Sequence, residues 1–161
     1  MSYIYESPAG IIEIFSDGEF ITALKFAEFS EKRVNRTHQQ NIPSCVKNAM
    51  KWLDVYFSGK NPGKTPPVGL SGTEFQKTVL KKVSEIPYGE TVTYGELAKS
   101  IASETGKPTS ARAVGRAVGS NKVLLLVPCH RVMGKGGKIT GYSAGTEIKQ
   151  YLLRLEMMGN R

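Results

Sequence analysis

Thr93-Tyr94-Gly95-Glu96-Leu97-Ala98-Lys99-Ser100-Ile101, a Gly106-Lys107-Pro108 break, and Thr109-Ser110-Ala111-Arg112-Ala113-Val114-Gly115-Arg116-Ala117-Val118 form the stretch on which the fold turns. Thr93 with Glu96 three residues later is a capping box: hydroxyl and carboxylate satisfy each other's backbone N–H groups and start a helix through Ile101. The Gly-Lys-Pro break stops the chain from continuing it, and Thr109 to Val118 forms the next helix. Two short helices across a tight connection predict a helix-turn-helix, a pattern shared by many α-hairpins. The second helix is unusually rich in glycine, which costs about 1 kcal/mol against alanine. A cost of that kind implies close approach of the backbone to something. Arg112 and Arg116 share one face. A small-residue helix with two arginines suits a nucleic-acid groove, and it equally suits tight helix packing with solvated arginines. Both readings stay open on these residues alone.

Working upstream, Thr73-Glu74-Phe75-Gln76 is another capping box, opening a helix that turns Phe75, Val79, Leu80 and Val83 inward until Pro87-Tyr88-Gly89 ends it. Ser58 to Pro67, dense in glycine and proline, is the connection, so the expected domains are residues 1–68 and 69–161. Before it, Pro43 to Phe57 has helical spacing with Val46, Met50, Leu53 and Phe57 on one side, and residues 30–41 read as a loop or short helix. Tyr3-Ile4-Tyr5, Gly10–Phe15 and Phe20–Phe26 read as strands, the last two joined by the Asp17-Gly18 hairpin signal. The fold class is therefore α+β: a small N-terminal sheet-and-helix domain, then a mostly helical C-terminal domain with a helix-turn-helix.

The 161 residues carry a net charge of +8. Residues 1–68 hold eight Lys/Arg against seven Asp/Glu, about +1, and residues 69–161 hold fourteen against seven, about +7. Nearly all the excess positive charge lies in the second half, where DNA or RNA is the natural partner. No apolar run is long enough to cross a bilayer and the N-terminus lacks a signal-peptide pattern, so no membrane partner and a cytoplasmic location are expected. Cys45 and Cys129, with only His38 and His130 to add, give no disulfide framework and no zinc spacing, so no metal is expected. Cys45 reads as structural.

Downstream, Asn121 to Val132 carries the chemistry. An apolar strand, Val123–Val127, runs to Pro128, and Cys129 follows at once beside His130 and Arg131. A thiol becomes a good nucleophile when cations stabilise its thiolate or a base takes its proton. His130 can be that base, directly or through a water, and Glu156 is the best available acid to orient it. A Cys-His pair alone is a weak signal.

The wider pattern is specific. Pro128-Cys129-His130-Arg131-Val132, Asn121 upstream, Gly141-Tyr142-Ser143 downstream, Pro87-Tyr88-Gly89-Glu90, Thr93-Tyr94, Ala111-Arg112-Ala113-Val114-Gly115 and Lys149–Glu156 together resemble the O6-alkylguanine-DNA alkyltransferases over residues 73–161. The first 68 residues match in general layout. The resemblance implies a DNA repair protein that moves an alkyl group from O6-alkylguanine, and O4-alkylthymine, irreversibly onto its own Cys129. One turnover per molecule follows, because a thioether has no good leaving group. In that reading His130 is base through a water, Glu156 fixes its tautomer, and Asn121 braces the turn that carries the cysteine. Tyr94 presses on the target's 3′ phosphate and supplies a proton. Arg112 fills the vacated base stack, with Ala111 and Gly115 beside it at the DNA. Tyr142, Ser143 and the Val132 backbone line the base pocket. No cofactor is implied, since the damaged double-stranded DNA is itself the donor, and the protein is expected to act as a monomer. Some relatives carry an N-terminal structural zinc, which two cysteines cannot supply here. Others lack the cysteine and bind damage without repairing it, whereas Cys129 is present.

Two other classes fit part of the sequence. A helix-turn-helix regulator explains the charge and leaves Pro-Cys-His-Arg without a purpose; it would bind DNA without acquiring a methyl group. A cysteine hydrolase explains Cys129, His130 and Glu156, leaves the basic half unexplained, and would turn over repeatedly.

Overall fold

The structure is a computed structural model that describes residues 2–27 and 41–159. Strands β1 (Ser2–Ser7), β2 (Gly10–Ser16) and β3 (Ile21–Phe26) form an antiparallel sheet in chain order. The register runs from Ser2 opposite Phe15 to Ser7 opposite Gly10, and β2–β3 pairing shifts at Phe15/Ser16. The expected Asp17-Gly18 turn is present. The Asp17 carboxylate accepts the Glu19 and Phe20 N–H groups at 2.9 and 2.8 Å, and Gly18 takes φ +103°, which favours glycine.

Helix α1 (Ser44–Phe57) packs against all three strands. Its inward stripe is Val46, Ala49, Leu53 and Tyr56, spaced three and four apart and fully buried. Met50 and Phe57, expected on this face, flank it half-buried. Cys45 is buried in the first turn of α1 with its Sγ 3.1 Å from Ser16 Oγ. Residues 28–40, most of the stretch read as a loop or short helix, lie outside the described residues.

In the second half, both capping boxes are formed. Thr73 and Gln76 start α2 (Glu74–Ser84), and Thr93 and Glu96 start α3 (Tyr94–Thr105). Val79, Leu80 and Val83 of α2 are buried, but Phe75 is 39% exposed, a correction to its expected inward position. The first turn of α2 stands clear of its neighbours: residues 71–75 are all exposed. Gly106, left-handed at φ +70°, closes α3. Ser110 then caps α4 (Ala111–Gly119) by accepting the Ala113 N–H at 3.1 Å. Helices α2, α3 and α4 pack on one another through Leu97, Ala98, Ile101, Val114, Ala117 and Val118. Strands β4 (Val92–Thr93) and β5 (Val132–Met133) make a two-residue parallel ribbon, and α5 (Thr146–Gly159) ends the described chain. An α+β fold, with sheet first and helices after, is what the residue patterns predict.

The Val123–Val127 run is not a strand. Val123 makes one bridge to Leu24; residues 124–126 turn, and Leu125 sits at φ +68°. A bulky residue rarely adopts that conformation, and holding it costs about 1–3 kcal/mol. Burial explains the apolar composition here, since all five residues are buried while the backbone closes on itself: Leu126 N–H bonds the Leu124 carbonyl at 2.8 Å and Val127 N–H the Val123 carbonyl at 3.0 Å.

The two halves are joined along the free edge of β3. Ile21 N–H bonds the Pro67 carbonyl and Gly69 N–H bonds the Ile21 carbonyl, both at 2.9 Å. Leu24 N–H bonds the Lys122 carbonyl at 2.9 Å, and Leu124 N–H bonds the Leu24 carbonyl at 3.0 Å. A single apolar core runs across this junction.

Candidate active site

Cys129 sits where the buried turn gives way to a short 3-10 segment, Cys129–Arg131. Pro128, at φ −81° and ψ 61°, lets the Cys129 N–H bond the Val127 carbonyl at 2.8 Å, an inverse γ-turn that fixes the direction of the cysteine. Asn121 spans the whole turn. Its Oδ1 accepts the Val123 N–H at 2.9 Å and its Nδ2 donates to the Val127 carbonyl at 3.0 Å. The same side chain favours the ionised form of the Cys129 thiol. A residue without both an acceptor and a donor would leave buried backbone groups unpaired.

Cys129 is 6% exposed, and that surface opens into a recess of about 70 Å3 lined by Tyr94, Gly115, Asn121, Tyr142 and Ser143 among others. Cys129 therefore borders a recess that opens to the outside, at the foot of α4. Tyr94 Oη accepts a hydrogen bond from Thr140 Oγ1 at 3.2 Å, tying the start of α3 to the segment that carries Tyr142 and Ser143. Arg112 and Ala111 lie on the exposed side of α4, away from the recess lining. Val132 does not line the recess: it is fully buried and its carbonyl accepts from Lys149 Nζ at 2.8 Å.

Behind the cysteine lies a buried polar cluster. His130 Nε2 donates to Glu156 Oε2, which also accepts from Tyr56 Oη at 3.0 Å. The other oxygen, Oε1, accepts from Arg131 Nε at 2.6 Å and from the Gly89 N–H at 3.2 Å. Arg131 Nη1 donates to the Ile86 carbonyl at 2.7 Å just past the end of α2. With Nε2 engaged by Glu156, the neutral imidazole keeps its lone pair on Nδ1, which is buried and has no hydrogen-bond partner among the described residues.

Burial pushes the Cys129 thiol up; the Asn121 amide and the Lys149 charge pull it back only in part. The resting sulfur is a protonated thiol, so its reactivity depends on a base rather than on standing ionisation. Arg131, the chain neighbour of His130, faces Glu156. Lys149 is the cation that acts on the sulfur. Burial lowers its own affinity for a proton, and carbonyls of Val132 and Thr140 hold it. Burial pushes His130 down, against the pull of Glu156. For Glu156, burial opposes ionisation, but the bonds from His130 and Gly89 and the Arg131 charge outweigh it and hold the carboxyl below its usual range. The arrangement is an unprotonated imidazole oriented by an ionised carboxylate, next to a shielded thiol: the parts of a base-assisted sulfur nucleophile.

Tyr56, Lys149 and Arg131 have no part in the sequence-based site. A signal existed for Lys149. Lys149, Leu152 and Glu156 share one face of α5, and two charges flanking a core leucine indicate buried polar function. Tyr56 gave none, since an aromatic on the apolar face of α1 is ordinary packing. Among the described residues no group of three or more His, Cys, Asp or Glu side chains could hold a metal.

Residues 74–158 match the family model described as "6-O-methylguanine DNA methyltransferase, DNA binding domain", and residues 2–64 match "6-O-methylguanine DNA methyltransferase, ribonuclease-like domain". The chain belongs to the 6-O-methylguanine DNA methyltransferase family. It is 42% identical to a methylated-DNA–protein-cysteine methyltransferase of Methanosarcina acetivorans, covering 95% of this chain and 96% of the relative. To the protein of the same name from Methanosarcina mazei it is 51% identical, covering 96% and 95%. Among solved structures, Mycobacterium tuberculosis OGT in complex with DNA superposes with a TM-score of 0.77 at 39% identity, covering 96% of this chain and 91% of that one. In this methyltransferase family member, then, the Cys129 recess and the Tyr56–Glu156–His130–Arg131 cluster are the concentrated chemistry of the fold, and α4 with Arg112 and Arg116 flanks the recess.

Proposed function

We propose that this chain is a methylated-DNA–protein-cysteine methyltransferase that reverses O6-alkylguanine damage, and O4-alkylthymine damage, by accepting the alkyl group on Cys129. The observation that carries this reading is the Cys129 thiol at the foot of an open recess, backed by His130 with Nδ1 unengaged and Nε2 held by Glu156. Family membership supplies the substrate class.

The step is a displacement at the alkyl carbon. The thiol proton passes to His130 Nδ1 through a water, and Glu156 stabilises the imidazolium from the other side. Sγ forms a bond to the alkyl carbon as the carbon–O6 bond breaks, its electron pair leaving with the base. The Tyr94 hydroxyl donates a proton to the departing ring, and Ser143 donates a hydrogen bond. The product thioether cannot leave, so each molecule acts once. No cofactor enters the balance, because the alkyl group comes from the damaged base.

The target atom is stacked inside a duplex, so the nucleotide rotates out and Arg112 fills the gap. Helices α3 and α4 act as a helix-turn-helix, with Ala111, Arg112 and Gly115 facing the DNA and Tyr94 against the 3′ phosphate. Gly115 supports this: a Cβ there would meet Tyr94 Cδ1 at 3.7 Å, an ordinary contact, so internal packing does not demand glycine, while the position lines the recess. The recess of about 70 Å3 is small beside the roughly 300 Å3 of a whole-ligand pocket, so the segment carrying Tyr142 and Ser143 moves outward to admit a base. The protein works as a monomer on double-stranded DNA, in the cytoplasm, where two buried free thiols stay reduced.

The deciding experiment is intact mass spectrometry after incubation with duplex DNA containing O6-methylguanine. The expected result is a gain of one methyl group, mapped to the Cys129 peptide, at one equivalent per protein. Repeated turnover, or binding with no mass gain, overturns the reading.

A further inference from the structure

Tyr56 is a residue of the polar cluster with no assigned part in the proposed chemistry. It comes from α1, in the other half of the fold from Cys129, and is fully buried. Its ring stacks on Trp52 at 5.3 Å with planes 9° apart and stands edge-on to His130 at 6.4 Å. Its hydroxyl donates to Glu156 Oε2, the same oxygen that receives the His130 proton, and lies 3.4 Å from His130 Nε2. Packing alone does not require a hydroxyl at this spot; phenylalanine fills the same space. A buried hydroxyl aimed at a buried carboxylate is a charge-assisted hydrogen bond, the strong kind.

We infer that Tyr56 is a positioning residue that draws charge out of Glu156 and so keeps His130 in its proton-accepting form. An imidazole that touches a bare buried carboxylate binds a proton tightly and is then useless as a base. Glu156 is not bare: Tyr56 and His130 share Oε2, while Arg131 and the Gly89 N–H hold Oε1. Removing the Tyr56 donor leaves more charge on Oε2, facing His130, so His130 holds its proton to higher pH. The other groups around this centre keep their parts. Arg131 and Lys149 disfavour a charge on His130, Tyr142 packs edge-on to its ring, and the Tyr88 ring stands edge-on to Tyr56 at 6.2 Å. Burial and the Glu156 charge hold the Tyr56 phenol well above its usual range, so it remains a donor throughout. Because Tyr56 belongs to α1, the base is set by the half of the chain that does not carry the nucleophile.

The inference rests on the proposed alkyl-acceptor reading for its purpose, but its test does not need DNA. In Tyr56→Phe, on a Cys45→Ala background, the rate of Cys129 labelling by iodoacetamide is followed from about pH 5.5 to 9, a range that spans the ordinary values of an imidazole and a thiol. His130 is titrated by NMR on the same samples. The acid limb of the labelling profile and the His130 titration are both expected to move up by about one pH unit. Labelling falls severalfold at the acid end and is unchanged or faster at the alkaline end. A uniform loss at every pH, or an unmoved His130 titration, overturns the inference, since lost packing slows all pH values alike. Replacing Tyr56 with 3-fluorotyrosine, a stronger donor of nearly the same size, keeps the fold if the phenylalanine variant does not, and shifts both readouts down; a shift up or none overturns it. A wild-type protein that accepts no methyl group from DNA sinks the alkyl-acceptor reading and leaves this comparison to stand or fall by itself.

Discussion

Arg131 Nε donates to Glu156 Oε1 at 2.6 Å, on the oxygen opposite the one that serves His130. The residue that follows His130 thus anchors the carboxylate that holds His130, and does so in a dry interior where both partners are buried. Removing one member of a buried pair strands a charge. Arg131→Met is expected to destabilise the fold by about 3–5 kcal/mol. Denaturant unfolding measures it, and the double variant Arg131→Met, Glu156→Gln should lose less than the sum of the singles. Strict additivity would show that the two residues are not coupled.

Cys129→Ala is expected to abolish methyl acceptance while leaving duplex affinity within about twofold, below the roughly 0.6 kcal/mol scale of thermal energy. Mass spectrometry and a fluorescence-anisotropy titration check the two halves of that statement. Methyl acceptance elsewhere in the chain would move the nucleophile.

Asn121 satisfies two backbone groups of a turn that holds Leu125 at φ +68°. Asn121→Ala leaves both unpaired and frees a strained turn, so a loss of about 2–6 kcal/mol is expected, from roughly 1–3 for each stranded group. Asn121→Asp keeps the acceptor and loses the donor. It also brings a negative charge to the thiol, so it is expected to slow Cys129 labelling beyond what its stability loss explains.

Gly115 separates packing from substrate access. Because a Cβ there meets only ordinary contacts, Gly115→Ala is expected to be neutral or stabilising by up to about 1 kcal/mol. Under the proposed function the same methyl group intrudes on the DNA side, so repair of duplex slows while iodoacetamide labelling of Cys129 is kept. A destabilised variant would return Gly115 to a plain packing role.

Stability falls on the acid side in two stages. His130 is held below its ordinary value of 6.5, so the unfolded chain takes up that proton first and stability is lost as pH drops below about that point. Glu156, held below 4.5, adds its loss at lower pH in the same direction. Cys129, raised above 9.0, works the other way, its contribution present below that value and lost as pH rises through the folded-state titration. His130→Gln is expected to flatten the stability curve between about pH 6.5 and 5. An unchanged slope there would mean that His130 is not buried neutral.

How legible all this is in the sequence differs by element. Local signals carried most of the fold: the capping boxes of Thr73 with Gln76 and of Thr93 with Glu96, the Asp17-Gly18 turn, and the helical spacing of α1 are each set by residues a few positions apart. The Val123–Val127 run misled, because five buried apolar residues look alike whether the backbone is extended or folded on itself. The difference is made by Asn121, whose two bonds are invisible in a hydropathy pattern. The juxtaposition of Cys129 with His130 was readable, since the two are neighbours in one motif. Tyr56 was not, because its partner Glu156 is brought to it by tertiary packing across the two halves, which no spacing encodes. Phe75 went wrong for a simpler reason: the apolar stripe of α2 extends one turn past its neighbours.

The junction at β3 also governs how the molecule comes into being. The Leu24 amide and carbonyl find their partners at Lys122 and Leu124, roughly one hundred residues downstream, a separation that makes for slow, non-local folding. While the chain is being synthesised, the sheet emerges first with that edge bare and adhesive. Completion waits until the segment bearing Cys129 has left the ribosome, so a truncated nascent chain has a sticky flank and an unfinished Cys129 recess.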